Sequence, residues 1–133
     1  EKRNIHLQQK YAEIEEKEVR YEEIHCDDAE YLIVAFGSCA RIAQKAMEEA
    51  RAEGIKVGLL RPITLWPFPS KAIAERSRQV KGILTVELNA GQMVEDVRLA
   101  VECKVPVEYF GRLGGIVPDP DEVVTALKEK IIK

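Results

Sequence analysis

Four apolar, β-branched runs, each followed by a segment of helical period, limit what this chain can fold into. The runs are YLIVAF (31–36), KVGLL (56–60), GILTVEL (82–88) and VPVEYF (105–110). Each is strand-length and carries no polar alternation, as a strand covered on both faces requires. Behind the first, Ile42, Ala46, Met47 and Ala50 share a helical face, which Gly54 closes as a C-cap residue. Behind the second, residues 70–79 place Ile73 and Ala74 inward, and Pro62, Pro67 and Pro69 stiffen the strand's exit loop. Behind the third, residues 92–102 place Met93, Val97 and Val101 on one stripe, with Val94 and Ala100 beside it. Behind the fourth, Asp119-Pro120-Asp121-Glu122 gives an N-cap, a proline at the first helical position and a glutamate at the third. Val123, Val124, Leu127 and Ile131 are that helix's apolar face.

Such alternation forces a parallel sheet, because each crossover helix returns the chain in the same direction and with a right-handed turn. Residues 21–25 add a short edge strand. The expected fold is a three-layer α/β/α domain on a five-stranded sheet, four strands of it parallel. At 133 residues the chain suffices for one such domain. The loops that follow parallel strands share one edge, so 37–38, 61–64, 87–92 and 111–115 are expected to face the same way, where open α/β sheets place their ligands.

Composition removes several classes of function. The 20 basic and 23 acidic residues are interspersed, and no basic stripe with interleaved aromatics offers a nucleic-acid surface. The apolar runs are far too short to cross a membrane. Cys26, Cys39 and Cys103 are odd in number and widely spaced, which suits neither a disulfide framework nor a zinc or iron–sulfur site and reads as buried or semi-buried free thiols in a reducing cytoplasm. Cys39 follows Gly37-Ser38 at an expected helix amino terminus, where a thiolate gains stabilisation. His6 and His25 have no second ligand nearby in sequence and read as surface residues.

No catalytic pair, metal-ligand set or phosphate loop emerges. The first parallel strand runs into FGSCAR instead of G-x-G-x-x-G, and no G-x-x-x-x-G-K-[ST] occurs. Near the glycines 111, 114 and 115, Asp119 and Asp121 would repel phosphate. The candidates are therefore loop and interface residues. Arg61 and Arg112, at strand ends, suit structural ion pairs or a bound anion. Trp66 and Phe68, braced by prolines, can cap the core or dock a partner with little ordering cost. Glu87, Asn89, Gly91 and Gln92 form the turn from the third parallel strand into its helix, where a carboxylate can fix the loop by hydrogen bonds or pair with Arg61.

YLIVAFGSCARIA, GIKVGLLRPITLWPFP, KGILTVELNAGQMVEDVRLAV and VPVEYFGRLGG together resemble the carboxyl-terminal region of the alpha subunit of 2-oxoacid:ferredoxin oxidoreductases. The likeness covers about 28–131 and is strongest to the 2-oxoisovalerate and 2-oxoglutarate types. More distantly the chain is similar to the last domain of transketolases, with Leu60-Arg61, Pro67, Glu87 and Gly91 in matching places. The resemblance implies a transketolase carboxyl-terminal-like fold whose edge strand is antiparallel. It implies an intact enzyme that uses thiamine diphosphate with magnesium, iron–sulfur clusters and coenzyme A, converts a 2-oxoacid to an acyl-CoA and reduces ferredoxin. It also implies that this domain supplies no catalytic, cofactor or metal residue, is inactive alone, and contributes assembly with other domains and subunits. On that reading residues 1–20, with a thin stripe at Leu7, Tyr11 and Ile14, are a linker helix from a missing upstream domain, and 21–133 are the domain proper. The alternative is an independent small-molecule or anion-binding α/β module in which Glu87, Asn89 and Gln92 read a polar ligand.

Overall fold

The computed structural model describes all residues, 1–133. Its elements are α1 (Lys2–Lys17), β1 (Tyr21–Ile24), β2 (Tyr31–Ala35), α2 (Gly37–Ala52), β3 (Val57–Pro62) and α3 (Ser70–Arg76), then β4 (Ile83–Glu87), α4 (Met93–Val101), β5 (Val107–Gly111) and α5 (Pro120–Leu127). A π-helical turn, Lys128–Ile132, extends α5. The sheet order is β1-β3-β2-β4-β5. β2, β3, β4 and β5 run parallel to one another, and β1 alone is antiparallel, with Tyr21 opposite Pro62 and Ile24 opposite Leu59.

Period-two alternation along buried strands divides the core into two halves. Ile33, Ala35, Val57, Leu59, Leu84 and Val86 point to one face, where α2 and α5 cover them with Ala43, Met47, Val123 and Leu127. Leu32, Val34, Leu60 and Ile83 point to the other, covered by Ile73 of α3 and by Met93, Val97 and Val101 of α4. This is the three-layer α/β/α arrangement with one antiparallel edge strand. The expected capping box is in place at Asp119 and Glu122, with the Asp119 N–H donating to the Glu122 carboxylate at 3.0 Å.

Three details depart from expectation. β3 runs on through Pro62, because its last residues pair with β1 instead of entering the loop. α3 ends at Arg76, and 77–79 continue as tighter turns, Arg78 N–H to the Glu75 carbonyl and Gln79 N–H to the Arg76 carbonyl. Cys103 is exposed, whereas Cys26 and Cys39 are buried.

The outer margins of the sheet are closed differently. Ile83 N–H donates to the Pro106 carbonyl and Arg112 N–H to the Glu87 carbonyl, so even-numbered residues of β5 bond inward and odd-numbered ones face out. Of those outward carbonyls, Val107 accepts from Arg98 of α4 at 3.1 Å and Tyr109 accepts from Lys130 at 2.9 Å. At the opposite margin β1 is four residues long. Arg76 clamps it, donating to both Glu23 oxygens at 2.9 and 2.6 Å, with Asp27 at 3.2 Å.

Beneath that clamp Cys26 is 3% exposed and donates its thiol to the Leu59 carbonyl at 3.3 Å. Burial, helped by the Glu23 charge and opposed by Arg76, pushes the thiol up from 9.0 to about 11. The unfolded chain therefore releases this proton first. The contribution is complete below pH 9 and is lost as pH rises toward 11. Urea denaturation across pH 8–11.5 should show the native chain losing about 2 kcal/mol more than Cys26→Ala over that window. Parallel profiles would disprove the linkage.

α1 stands apart from this core: none of its 16 residues is buried. The stripe at Leu7, Tyr11 and Ile14 is only half-covered, and Tyr11 meets Trp66 edge-on, ring centroids 5.9 Å apart.

Candidate functional site: the strand-end edge

Going from β2 the chain steps to one side for β3 and then crosses to the other for β4, which puts the topological switch point between β2 and β4. The turn into α2 and the loop 88–92 flank it. On the same edge lie the loops after β3 and β5. Tyr21 joins them, because antiparallel β1 starts where β3 ends.

Glu87 organises the switch-point loop. It is the last residue of β4 and fully buried. One carboxylate oxygen accepts from the N–H groups of Gln92 at 3.2 Å and Met93 at 2.7 Å, and the other from Val94 N–H at 3.1 Å. α4 has no N-cap side chain of its own. Glu87 takes over that role from the strand, satisfying the orphan amides and meeting the positive end of the helix dipole. Asn89 closes the turn locally, its side-chain oxygen accepting from Gly91 N–H at 2.7 Å. Gln92 is exposed. Of the three groups proposed to read a ligand, Glu87 and Asn89 thus have internal partners, while the Gln92 side chain faces outward.

Glu87 does not pair with Arg61. Arg61 instead donates to Glu22 of β1 at 3.0 Å, because the antiparallel register sets those two residues directly opposite each other. Arg112 pairs with Glu122 of α5, and the Asp119 N–H, then that guanidinium, hold the Glu122 carboxyl below its usual range. Cys39 also departs from expectation. Although it lies in the first turn of α2, it is 3% exposed, and burial and then the Glu87 charge push its thiol up, opposite to thiolate stabilisation. Tyr109 went unnoticed in the sequence: its hydroxyl donates to the Asn89 carbonyl, a link from β5 that no spacing signals.

Around these polar fixings the edge is apolar and bare. In the loop after β3, Pro62, Pro67 and Pro69 are buried and turn Ile63, Leu65 and Trp66 outward, 47–56% exposed. Phe68 is half-buried against the core. Leu88 follows β4, and Leu113, Ile116 and Val117 follow β5, all exposed. With Tyr21, eight of the eleven exposed large hydrophobic residues lie on this edge. Of the rest, Ile5 and Tyr11 are on α1 and only Leu99 lies elsewhere, on α4. A groove of about 650 Å³ runs between α1 and the proline-bearing loop, with Glu15, Glu16 and Val19 on one side and Trp66, Phe68 and Lys71 on the other.

The donor set for metals is sparse: no three His, Cys, Asp or Glu side chains group closely enough to hold an ion. Cys26 and Cys39 lie on opposite faces of the sheet. These residues do not fit an iron–sulfur cluster or a magnesium–diphosphate site built within this chain. No helix is long and apolar enough to cross a membrane.

Residues 29–123 match the family described as pyruvate:ferredoxin oxidoreductase core domain II. The chain is 51% identical over 126 residues to ketoisovalerate oxidoreductase subunit VorB of Methanothermobacter thermautotrophicus, covering 95% of this chain and 36% of the relative. It is 33% identical over 101 residues to 2-oxoglutarate synthase subunit KorA of Methanothermobacter marburgensis, covering 76% of this chain and 27% of the relative. Its fold superposes on 2-oxoglutarate:ferredoxin oxidoreductase from Magnetococcus marinus, solved with 2-oxoglutarate, coenzyme A and succinyl-CoA bound. The TM-score is 0.73 at 27% identity, over 84% of this chain and 19% of that one. A split-gene transketolase, an inactive β4 tetramer, shares the fold at TM-score 0.73 and 22% identity, over 85% of this chain and 41% of that one. The chain spans about a third of the length of these curated relatives.

Proposed function

Since the chain belongs to the pyruvate:ferredoxin oxidoreductase core domain II family, we propose that it is the assembly domain of a 2-oxoacid:ferredoxin oxidoreductase subunit. It docks through its strand-end edge and performs no chemical step itself. The whole enzyme then converts a 2-oxoacid, coenzyme A and oxidised ferredoxin to acyl-CoA, carbon dioxide and reduced ferredoxin. Thiamine diphosphate with magnesium and the iron–sulfur clusters are held by other domains and subunits. The 51% identity to a ketoisovalerate oxidoreductase subunit makes a branched-chain 2-oxoacid the first substrate to test. Residues 1–20 act as the linker helix that leads from an upstream domain into 21–133, with Tyr11 against Trp66 at the point of entry.

The observation that carries this reading is the concentration of eight exposed large hydrophobic residues on one edge of an otherwise charged surface. A catalytic edge would instead present free polar groups, yet Glu87, Asn89, Arg61 and Arg112 are all engaged internally. An independent ligand-binding module is disfavoured on the same ground.

The test compares the chain with the longer subunit. The purified chain should give no 2-oxoacid-dependent acyl-CoA formation with added thiamine diphosphate, magnesium, coenzyme A and an electron acceptor. The longer subunit, expressed with its partner subunits, should form an active complex, and deleting this region should abolish both complex and turnover. Turnover by the chain alone, or an intact complex without this region, would refute the proposal.

A further inference from the structure

We infer that Tyr109 is a positioning residue: its side chain, threaded between Gly91 and Gly111, latches the switch-point loop 88–92 in the form that presents Leu88 for docking. Tyr109 leaves β5 on the α3–α4 side of the sheet and lies against that half of the core. Its hydroxyl reaches across to β4's loop and donates to the Asn89 carbonyl.

Two glycines make room for it. A Cβ at Gly91 would sit 3.6 and 3.7 Å from the ring edge and 3.2 Å from Val94, and Gly91 also has a φ of +99°, which side-chain-bearing residues avoid. A Cβ at Gly111 would collide with the Tyr109 hydroxyl itself and lie 2.7 Å from the Glu87 carbonyl oxygen. Residue 111 is therefore bare where the phenol must pass, although its own φ is not one that demands glycine.

The loop is then tied at three points. Glu87 holds its far end at the start of α4, Asn89 closes its middle, and Tyr109 fixes the Asn89 carbonyl from the neighbouring strand. The first two ties are local to the loop. The third comes from another strand and sets the loop's tilt relative to the loop after β5, where Leu113, Ile116 and Val117 stand exposed. Burial, then the charges of Glu87 and Cys39, push the phenol up, so it remains a donor through neutral and mildly alkaline pH.

Only the consequence for docking rests on the proposed function; the latch itself does not. Tyr109→Phe keeps the ring and removes the donor, while Gly111→Ala blocks the hydroxyl's path. Hydrogen exchange on the purified chain should show the bonded amides of Gly91 and Gln92 exchanging about two- to tenfold faster in Tyr109→Phe, the span expected for one net hydrogen bond. Gly111→Ala should match or exceed that. The amides of β2 and β4 should keep their native rates, and the urea midpoint should confirm that both variants are folded. Unchanged exchange at Gly91 and Gln92 in both folded variants would overturn the latch. In the full-length subunit, weaker assembly alongside faster exchange supports the latch as a positioning device. Faster exchange with unaltered assembly upholds the latch and refutes docking through this edge.

Discussion

Glu87→Ala should lower the stability of the chain by about 3–5 kcal/mol, a displacement of the urea midpoint at constant m-value. The carboxylate is fully buried and its oxygens accept from three backbone amides at the head of α4. Truncation strands the Met93 and Val94 donors away from water, removes a cap and leaves a void in the core, each a recognised source of large losses. Glu87→Gln keeps the shape but turns an amide donor toward N–H groups that are donors themselves. It should cost about 1–3 kcal/mol, with the loss concentrated in α4 and visible as faster exchange of the Met93 and Val94 amides. If Glu87 served catalysis and not architecture, Glu87→Gln would leave stability and assembly intact and lower the single-turnover rate of the assembled enzyme. Denaturation, assembly and single-turnover measurements on one variant separate the two cases.

The second large effect is on assembly. Leu113→Glu combined with Ile116→Glu, placed in the full-length subunit, should weaken association with its partners by about a hundred- to a thousandfold. The estimate follows from putting two unpaired charges where apolar side chains would be buried at the centre of an interface. Both residues are more than half exposed in the chain, so folding should be unaffected, within about 0.5 kcal/mol. Leu99→Glu is the matched control: Leu99 is 78% exposed on α4, away from the edge. Equal assembly of the double variant and the control would remove the edge as the docking surface.

Much of the fold is written in local pattern. A run such as YLIVAF with a helical stripe behind it can only be a buried strand and its crossover, and Asp119-Pro120 with Glu122 marks a helix start to the residue. The shared edge of the parallel-strand loops follows from the crossover rule without knowledge of strand order. The order and the antiparallel β1 do not follow from it, and the latter entered only through the family likeness. Where the sequence misleads, the cause is a partner distant along the chain. Pro62 reads as loop until Tyr21 pairs with it, and Arg61 has no visible partner until the same antiparallel register brings Glu22 across. Cys39 shows a competition between two effects at one position: the helix terminus favours a thiolate, burial opposes it, and only the packing reveals which prevails. Tyr109 reads as an ordinary strand aromatic, since its role depends on missing atoms at Gly91 and Gly111.

The two cations laid along β5 bear on how this domain behaves among its own kind. An unpaired strand margin is a template on which any extended segment, including another copy of the same strand, can crystallise into a growing ribbon. Arg98 and Lys130 occupy the very carbonyls such a newcomer would need, and they do so with charges that a second copy would bring again to the same place. Lateral polymerisation is thus penalised twice, by lost acceptors and by repulsion. A surface rich in bare leucine, isoleucine and tryptophan can then be carried on one end of the molecule without the sides becoming sticky too. Copies of the chain can then meet at high concentration without fibrillating through this margin.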